Sequence, residues 1–360
     1  MTSTASDRPI RVGVVGLSAS GWASMALAPA LQHPSLASKY LLTAVSTTSD
    51  TSASVSAKTY STETNSVKPF SGDTAHIAND PDVDLVMISV RAPGHKRAAL
   101  PVISAKKSLF IEWPAGLNLR ETTEIAEAAK MQGIRTMVGL QGRYTPVVCK
   151  IKEYVDGGKI GKVLSSSVIA MAPREYGFWG PRVNERNDHT INKDDGATML
   201  DVALGHELDI LTHILGDFAS VSATSTIIYP SATILSSVPD QTRTASVTAA
   251  DHVAFSGLLK SGSVFLWLID GEEGSIRVEE DAVGGAFIQI SDPKLFLNGE
   301  RVPTDENWGG FVGSVRAQLA EFANGGKDTK YATMEDAVKL RMLLKAIDDS
   351  ARDGERVFLN

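Results

Sequence analysis

The sequence predicts an α/β protein: an N-terminal doubly wound parallel (Rossmann) sheet, followed by a C-terminal α+β domain with a large, mainly antiparallel open sheet. Three observations predict it. Ile10-Arg11-Val12-Gly13-Val14-Val15 is a short apolar, β-branched run that ends at Gly16, and Gly21 opens a helix-like segment through Leu31. Strand, glycine turn and helix is the layout of a dinucleotide-binding βα unit. Apolar runs then alternate with helical patterns as far as residue 142, and beyond it strand-like runs dominate. Several of these are joined by glycine-containing turns such as Lys260-Ser261-Gly262-Ser263, the pattern of hairpins. Residues 1–142 therefore read as the dinucleotide-binding domain and 143–360 as an α+β domain for substrate and oligomerisation.

The elements follow in order. Residues 41–45 make a second strand, followed by a Ser/Thr/Ala-rich helical stretch to Tyr60. Residues 84–90 are mostly apolar, as a parallel strand covered on both faces should be. A loop at 91–95, a helix over 96–105 and a strand over 108–112, broken by Trp113-Pro114, come next. An amphipathic helix at 120–132 and a strand at 136–140 complete the alternation. One more helix spans 146–155. The second domain offers strands at 163–171, 221–229, 251–259, 264–270, 275–279 and 287–290, a helical block at 196–215, and closing helices at 312–323 and 334–351.

Composition narrows the partners. A chain of 360 residues with 43% hydrophobic and 21% charged residues suits two folded domains. A net charge of −7 argues against direct nucleic-acid binding. The single cysteine, Cys149, excludes an internal disulfide framework and fits a reducing compartment. Residues 1–9 are polar and make no signal peptide, and no apolar run approaches the roughly 20 residues of a membrane span. A cytoplasmic protein without membrane contact is expected. No Cys/His cluster has metal-ligand spacing, and no metal is expected.

Candidate chemistry sits at strand and helix ends. Gly16 and Gly21 hold the outer positions of a G-x-G-x-x-G loop, with Ser18 in place of the middle glycine. Without Cβ atoms a phosphate can approach the helix N-terminus, and Ser18 and Ser20 add hydroxyl donors. The second strand ends in Ser46-Thr47-Thr48-Ser49, with no carboxylate at its tip. Hydroxyls there suit a ribose 2′-phosphate, so NADP is expected over NAD, the alternative being that Asp50 bends back to the ribose. Arg91 and His95 lie in a loop at a strand's carboxyl end, where such sheets bind ligands. His206 and Asp209 are spaced i, i+3 and share a helix face. One reading makes His206 a proton donor near the nicotinamide, with Asp209 setting its tautomer; the other is a His–Asp pair that holds the helix. Arg143 suits a carboxylate, a sugar hydroxyl, a cofactor phosphate or a plain ion pair. Arg174-Glu175-Tyr176-Gly177-Phe178-Trp179 sets aromatics beside charge, good either for stacking a substrate ring on Tyr176 and Trp179 or for packing on the sheet. Tyr176 is the reserve proton donor.

Three motifs stand in one order: the glycine loop, Glu112-Trp113-Pro114, and Gly205-His206-Glu207-Leu208-Asp209. Together they resemble the glucose–fructose oxidoreductase and inositol dehydrogenase (Gfo/Idh/MocA) family of two-domain NAD(P) enzymes, from Ile10 to about Val357. Within it the chain is similar to the fungal galactose-pathway repressor branch. The echoes are Gly21-Trp22-Ala23, Glu112-Trp113, Leu140-Gln141-Gly142-Arg143, Gly205-His206-x-x-Asp209-Ile210-Leu211 and Asp251-His252. The resemblance implies that Trp22, Glu112, Trp113 and Gln141 join the cofactor site, and that the Trp113–Pro114 bond is cis. Trp113 and His206 would then also face substrate, with the Trp113 indole on the nicotinamide side.

The departures matter. Family enzymes have Glu-Lys-Pro, whose lysine moves a proton at the substrate; Trp113 stands in its place and has no titratable proton. An Asp one helical turn before the His is also usual. Asp201 precedes His206 by one residue too many, so it either faces another way or is realigned by a helix irregularity. Three functions follow. The first is an NADP-dependent oxidoreductase acting on a small polyhydroxylated, carbonyl or imine substrate. The second is a non-catalytic NADP-binding regulator with a protein partner, as that repressor branch implies. The third is non-redox chemistry on the same fold. The open sheet faces predict a homodimer or homotetramer.

Overall fold

The structure, a computed structural model, describes residues 8–170, 176–238, 241–261, 264–265, 269–280, 287–291, 293–305, 307–325 and 329–359. The chain forms two compact units, one of residues 1–141 and 311–338, the other of 142–310 and 339–360.

The first unit is built on six strands: β1 (Ile10–Val15), β2 (Tyr40–Thr47), β3 (Lys68–Ser71), β4 (Leu85–Ile88), β5 (Ser108–Glu112) and β6 (Thr136–Gly139). All pair in parallel, in the order β3-β2-β1-β4-β5-β6. The order reverses between β1 and β4, and ligands of such sheets bind at the carboxyl ends there. Val12, Val14, the whole of β4 and Leu109, Phe110 and Ile111 are buried, which explains their unbroken apolar character. β3, absent from the sequence reading, is an edge strand carrying Pro69, a position where a missing N–H costs no ladder bond.

Helices join these strands: α1 (Ala28–Leu31), α2 (Asp50–Tyr60), α3 (Thr74–Ala78), α4 (His95–Ser104) and α5 (Leu119–Gln132). Asn118 caps α5 by accepting the Glu121 N–H, and Gly133 ends it in the left-handed conformation. α1 is entered through a π-helical turn, Ala23–Leu27. Residues 311–338 are tied to this unit by long-range bonds: Tyr40 Oη donates to the Leu319 carbonyl at 2.7 Å, and Gln318 Nε2 donates to that of Val138 at 2.6 Å.

The second unit carries α6 (Pro146–Asp156) and α7 (Gly205–Leu215) against a large sheet. Its strands are β7 (Val163–Ser166), β8 (Arg182–Asn184), β9 (Phe218–Thr226), β10 (Ser231–Leu235), β11 (Thr242–Ser246), β12 (His252–Leu259), β13 (Val264–Phe265), β14 (Ile269–Gly271), β15 (Gly274–Glu279), β16 (Lys294–Leu297), β17 (Glu300–Val302) and β18 (Val357–Phe358). Nine of them form one sheet, β17-β16-β15-β14-β7-β13-β12-β9-β18, in which only the β7–β13 pair is parallel. β11-β10-β8 form a separate three-stranded sheet. α8 (Gly310–Asn324) and α9 (Met334–Asp353) close the chain.

One face of the large sheet is covered by helices. Val147, Val148 and Ile151 of α6 and Ile210 and Ile214 of α7 pack on Ile269, Ile276 and Leu295. The strand expected at 287–290 is instead a turn, closed by Ile290 N–H to the Phe287 carbonyl at 2.9 Å. Phe287 and Ile288 are buried, and a short buried apolar run reads alike whatever its backbone does. The strand expected over 163–171 stops at Ser166, and Met171 lies outside the described residues. So do Gly262 and Ser263 of the expected hairpin and residues 266–268 of the strand expected over 264–270.

Candidate functional site

The glycine turn sits where the sheet order reverses. Gly16 has a φ of 92°, and a Cβ there would lie 2.1 Å from the Ser89 carbonyl oxygen, so only glycine lets β1 turn this close to the end of β4. Gly21 has a φ of 125°, and its Cβ position meets nothing within 4 Å. The backbone in front of the helix is therefore open, and the residues fit a pyrophosphate held by N–H groups at a helix start. Ser18 departs from its expected role: its hydroxyl donates to the Ser20 carbonyl at 2.6 Å and shapes the turn from within. Ser20 stays exposed.

The end of β2 divides in two. Ser46 is 2% exposed, so its side chain is not at the tip, and its carbonyl accepts the Gly16 N–H at 2.8 Å. Thr47 and Thr48 reach the surface. The Asp50 carboxylate accepts the Ser71 hydroxyl of β3, so its bond ties it to the neighbouring strand.

At the end of β5 the Trp113–Pro114 bond is cis. Trp113 is 6% exposed. His95, buried at the start of α4, lies with Nδ1 2.7 Å from the Pro114 carbonyl, so Nδ1 carries the proton and holds this turn. Trp22 Nε1 donates to Glu112 Oε1 at 2.8 Å. Burial pushes the Glu112 carboxyl up to about 8, against the opposing bonds from Trp22 and the Trp113 backbone. Gln141 is buried and Arg91 exposed.

In the second unit the helix before His206 contains an irregularity, one of the two outcomes that its spacing allowed. Leu200–Leu204 is a π-helical turn, with Leu204 N–H reaching back five residues to the Met199 carbonyl at 3.0 Å. It absorbs the extra residue between Asp201 and His206. Yet the Asp201 carboxylate is engaged elsewhere. It accepts from the Thr198 N–H at 3.2 Å and hydroxyl at 2.7 Å, while Thr198 Oγ1 accepts the Asp201 N–H at 3.2 Å. That is a reciprocal capping box, and buried Arg341 adds an ion pair at 2.5 Å.

Asp209 does not set the His206 tautomer. Its carboxylate is held by Arg143, with Nε at 3.0 and 3.1 Å and Nη2 at 2.5 Å, and no bond joins it to His206 among the described residues. Arg143 thus takes part in a buried ion pair rather than an exposed one. His206 is partly exposed, and burial pushes its imidazole down to about 4, so it is neutral at pH 7. A neutral imidazole can take up a proton, though with its pKa lowered it is a weaker base than an ordinary histidine. Glu207 beside it is buried and pushed up to about 8.

Tyr176 and Trp179 come together as expected, in a larger aromatic group. Tyr176 stacks on Phe287 with centroids 5.0 Å apart, and Phe178 and Trp179 pack beside it. Trp179 Nε1 donates to the Ala197 carbonyl at 3.1 Å, just ahead of the π turn. Burial raises the Tyr176 phenol above its usual range. Arg174 and Glu175 lie outside the described residues. Phe287 escaped the sequence reading because nothing local links it to Tyr176. The Thr198–Asp201 box was legible, since Thr-x-x-Asp ahead of an apolar run is its signature. Among the described residues no group of His, Cys, Asp and Glu could hold a metal ion, and no helix is long and apolar enough to cross a membrane.

A parallel sheet with an open glycine turn at its switch point, followed by a large open sheet, defines a two-domain dinucleotide-binding protein. Residues 10–140 match the oxidoreductase family with an NAD-binding Rossmann fold (Gfo/Idh/MocA), and 146–266 match the C-terminal domain of Gal80p. The dehydrogenase aclE of Aspergillus oryzae is 29% identical over 309 residues, 81% of each chain. The galactose/lactose metabolism regulatory protein GAL80 of Saccharomyces cerevisiae is 26% identical over 329 residues, 81% of this chain and 71% of its own. Among solved structures, a super-repressor mutant of Saccharomyces cerevisiae Gal80p superposes with a TM-score of 0.85 at 22% identity, covering 97% of this chain and 98% of that one. A levoglucosan dehydrogenase with NADH and levoglucosan gives 0.76 at 19% identity, covering 98% and 99%. These two likenesses are of fold.

Proposed function

We propose that the protein is a cytoplasmic NADP-dependent oxidoreductase that oxidises a hydroxyl group on a small, ring-shaped substrate, with His206 as the base. The observation that carries this reading is the His206 imidazole: neutral at pH 7 and without a hydrogen-bond partner among the described residues, while Asp201 and Asp209 are both committed elsewhere. Bound nicotinamide supplies the hydride acceptor. His206 takes the hydroxyl proton as the C–H hydride leaves, giving a carbonyl and an imidazolium that returns its proton to water. The Tyr176 and Trp179 rings offer a stacking platform. Gly16, Gly21 and Trp22 place the cofactor, and Thr47 and Thr48 meet the 2′-phosphate. Turnover of NADP against neutral cyclic polyols, and of NADPH against carbonyls and imines, tests the reading by NADPH absorbance.

A second reading, a cofactor-binding regulator with a protein partner, is supported by Trp113 at the lysine position and by the match of residues 146–266 to Gal80p. Tight cofactor binding with no turnover across the panel is the result it expects. In either reading a homodimer covers the exposed sheet face that carries Leu258. Light scattering that gives a monomer at micromolar concentration overturns this.

A further inference from the structure

Trp22 is the first helical residue after the glycine turn, and Glu112 ends β5. They are 90 residues apart in sequence and joined by one bond, the indole N–H to Glu112 Oε1 at 2.8 Å. The other carboxyl oxygen is lodged against β6, where a Cβ on Gly139 would stand 2.1 Å from it. The Trp113 backbone N–H donates to the same carboxyl. The Trp22 ring is stacked on Phe311, with centroids 5.3 Å apart and planes at 27°. The indole is thus held at its edge and on its face. No Lys or Arg pairs with Glu112 among the described residues, so the carboxyl does not serve an ion pair. Its side-chain partner is an N–H that belongs to the glycine-loop helix.

We infer that Glu112 is a positioning residue for the dinucleotide: by holding the Trp22 indole it fixes the start of the helix whose free N–H groups meet the pyrophosphate. This rests on the cofactor reading above. Burial keeps the carboxyl protonated at pH 7, so it adds no negative charge beside an anionic ligand.

Calorimetric titration of NADP and of NAD into the full-length chain tests it, with melting curves to confirm folding. The variants are Glu112→Leu, Trp22→Phe, the double substitution and Glu112→Gln. Losing one neutral hydrogen bond weakens affinity about tenfold, so each of the first two should show that loss and the double variant no more than either. Glu112→Gln keeps an accepting carbonyl and should stay within about threefold of the wild type. Single losses that multiply in the double variant, or a Glu112→Leu variant that binds like the wild type, overturn the proposal. If Glu112→Leu does not fold, an unchanged Trp22→Phe overturns it, and a weakened Trp22→Phe beside an intact Glu112→Gln supports it. A wild type that binds neither cofactor removes the cofactor reading and this proposal with it. Normal wild-type binding with unaffected variants removes this proposal alone.

Discussion

Arg143 and Asp209 form a nearly closed ion pair, with Nη2 2.5 Å from Oδ1 and side chains 10% and 3% exposed. Breaking such a pair from one side leaves a buried charge, at a typical cost of about 3–5 kcal/mol. Arg143→Met should therefore lower the denaturation midpoint strongly. The double variant Arg143→Met with Asp209→Leu should recover most of it, because two apolar side chains leave no charge behind. Chemical denaturation of the three proteins checks this.

His206→Ala should cut turnover by about 10²–10⁴-fold while leaving NADP affinity unchanged, since a general base acts only in the chemical step. The base must be neutral to work. With its pKa pushed down to about 4, the oxidation rate should stay level from pH 8 to 6 and fall only as pH approaches 4. An acid limb near the ordinary histidine value of about 6.5 would show that His206 is not the base.

Stability should decline as the solution becomes alkaline. Burial raises the carboxyls of Glu112 and Glu207 to about 8. The native state then binds protons that the unfolded chain has lost, so this contribution is fully present below pH ~4.5 and lost as pH rises through about 8. His206 acts in the opposite sense, its contribution being lost as pH falls from ~6.5 toward about 4. Melting temperatures from pH 7 to 9 should fall, and Glu207→Gln should flatten the slope by up to ~1.4 kcal/mol per pH unit. An unchanged slope in that variant would place the titration elsewhere.

Cofactor choice can be tested at an exposed position. Ser46 is buried, so a carboxylate there would damage the strand before it met a ligand. Thr48 is exposed at the strand end. Thr48→Asp should weaken NADP, whose 2′-phosphate it would repel, and spare NAD. Equal losses for both cofactors in calorimetry would place residue 48 away from the ribose.

Much of this protein was legible before its structure. Strand β5 spans the residues expected of it, 108–112, and Ile10 to Val15 followed by Gly16 announces a strand and a turn that tolerates no side chain. Against the family's spacing, the one-residue excess between Asp201 and His206 allowed either a turned-away Asp201 or a helix irregularity, and the π-helical turn at Leu200–Leu204 is the second.

What the sequence could not decide was which group each charge and ring would meet. Asp209 stands three residues from His206 yet binds Arg143, Asp201 binds Thr198 and Arg341, and Tyr176 stacks on Phe287. Backbone periodicity, turn chemistry and capping act over a few residues and leave a pattern in the sequence. The partner of a buried charge is set by which groups lose water together, and that depends on how distant segments pack. The same packing left His206 neutral and Glu112 bonded to Trp22, and only the tertiary structure could decide either.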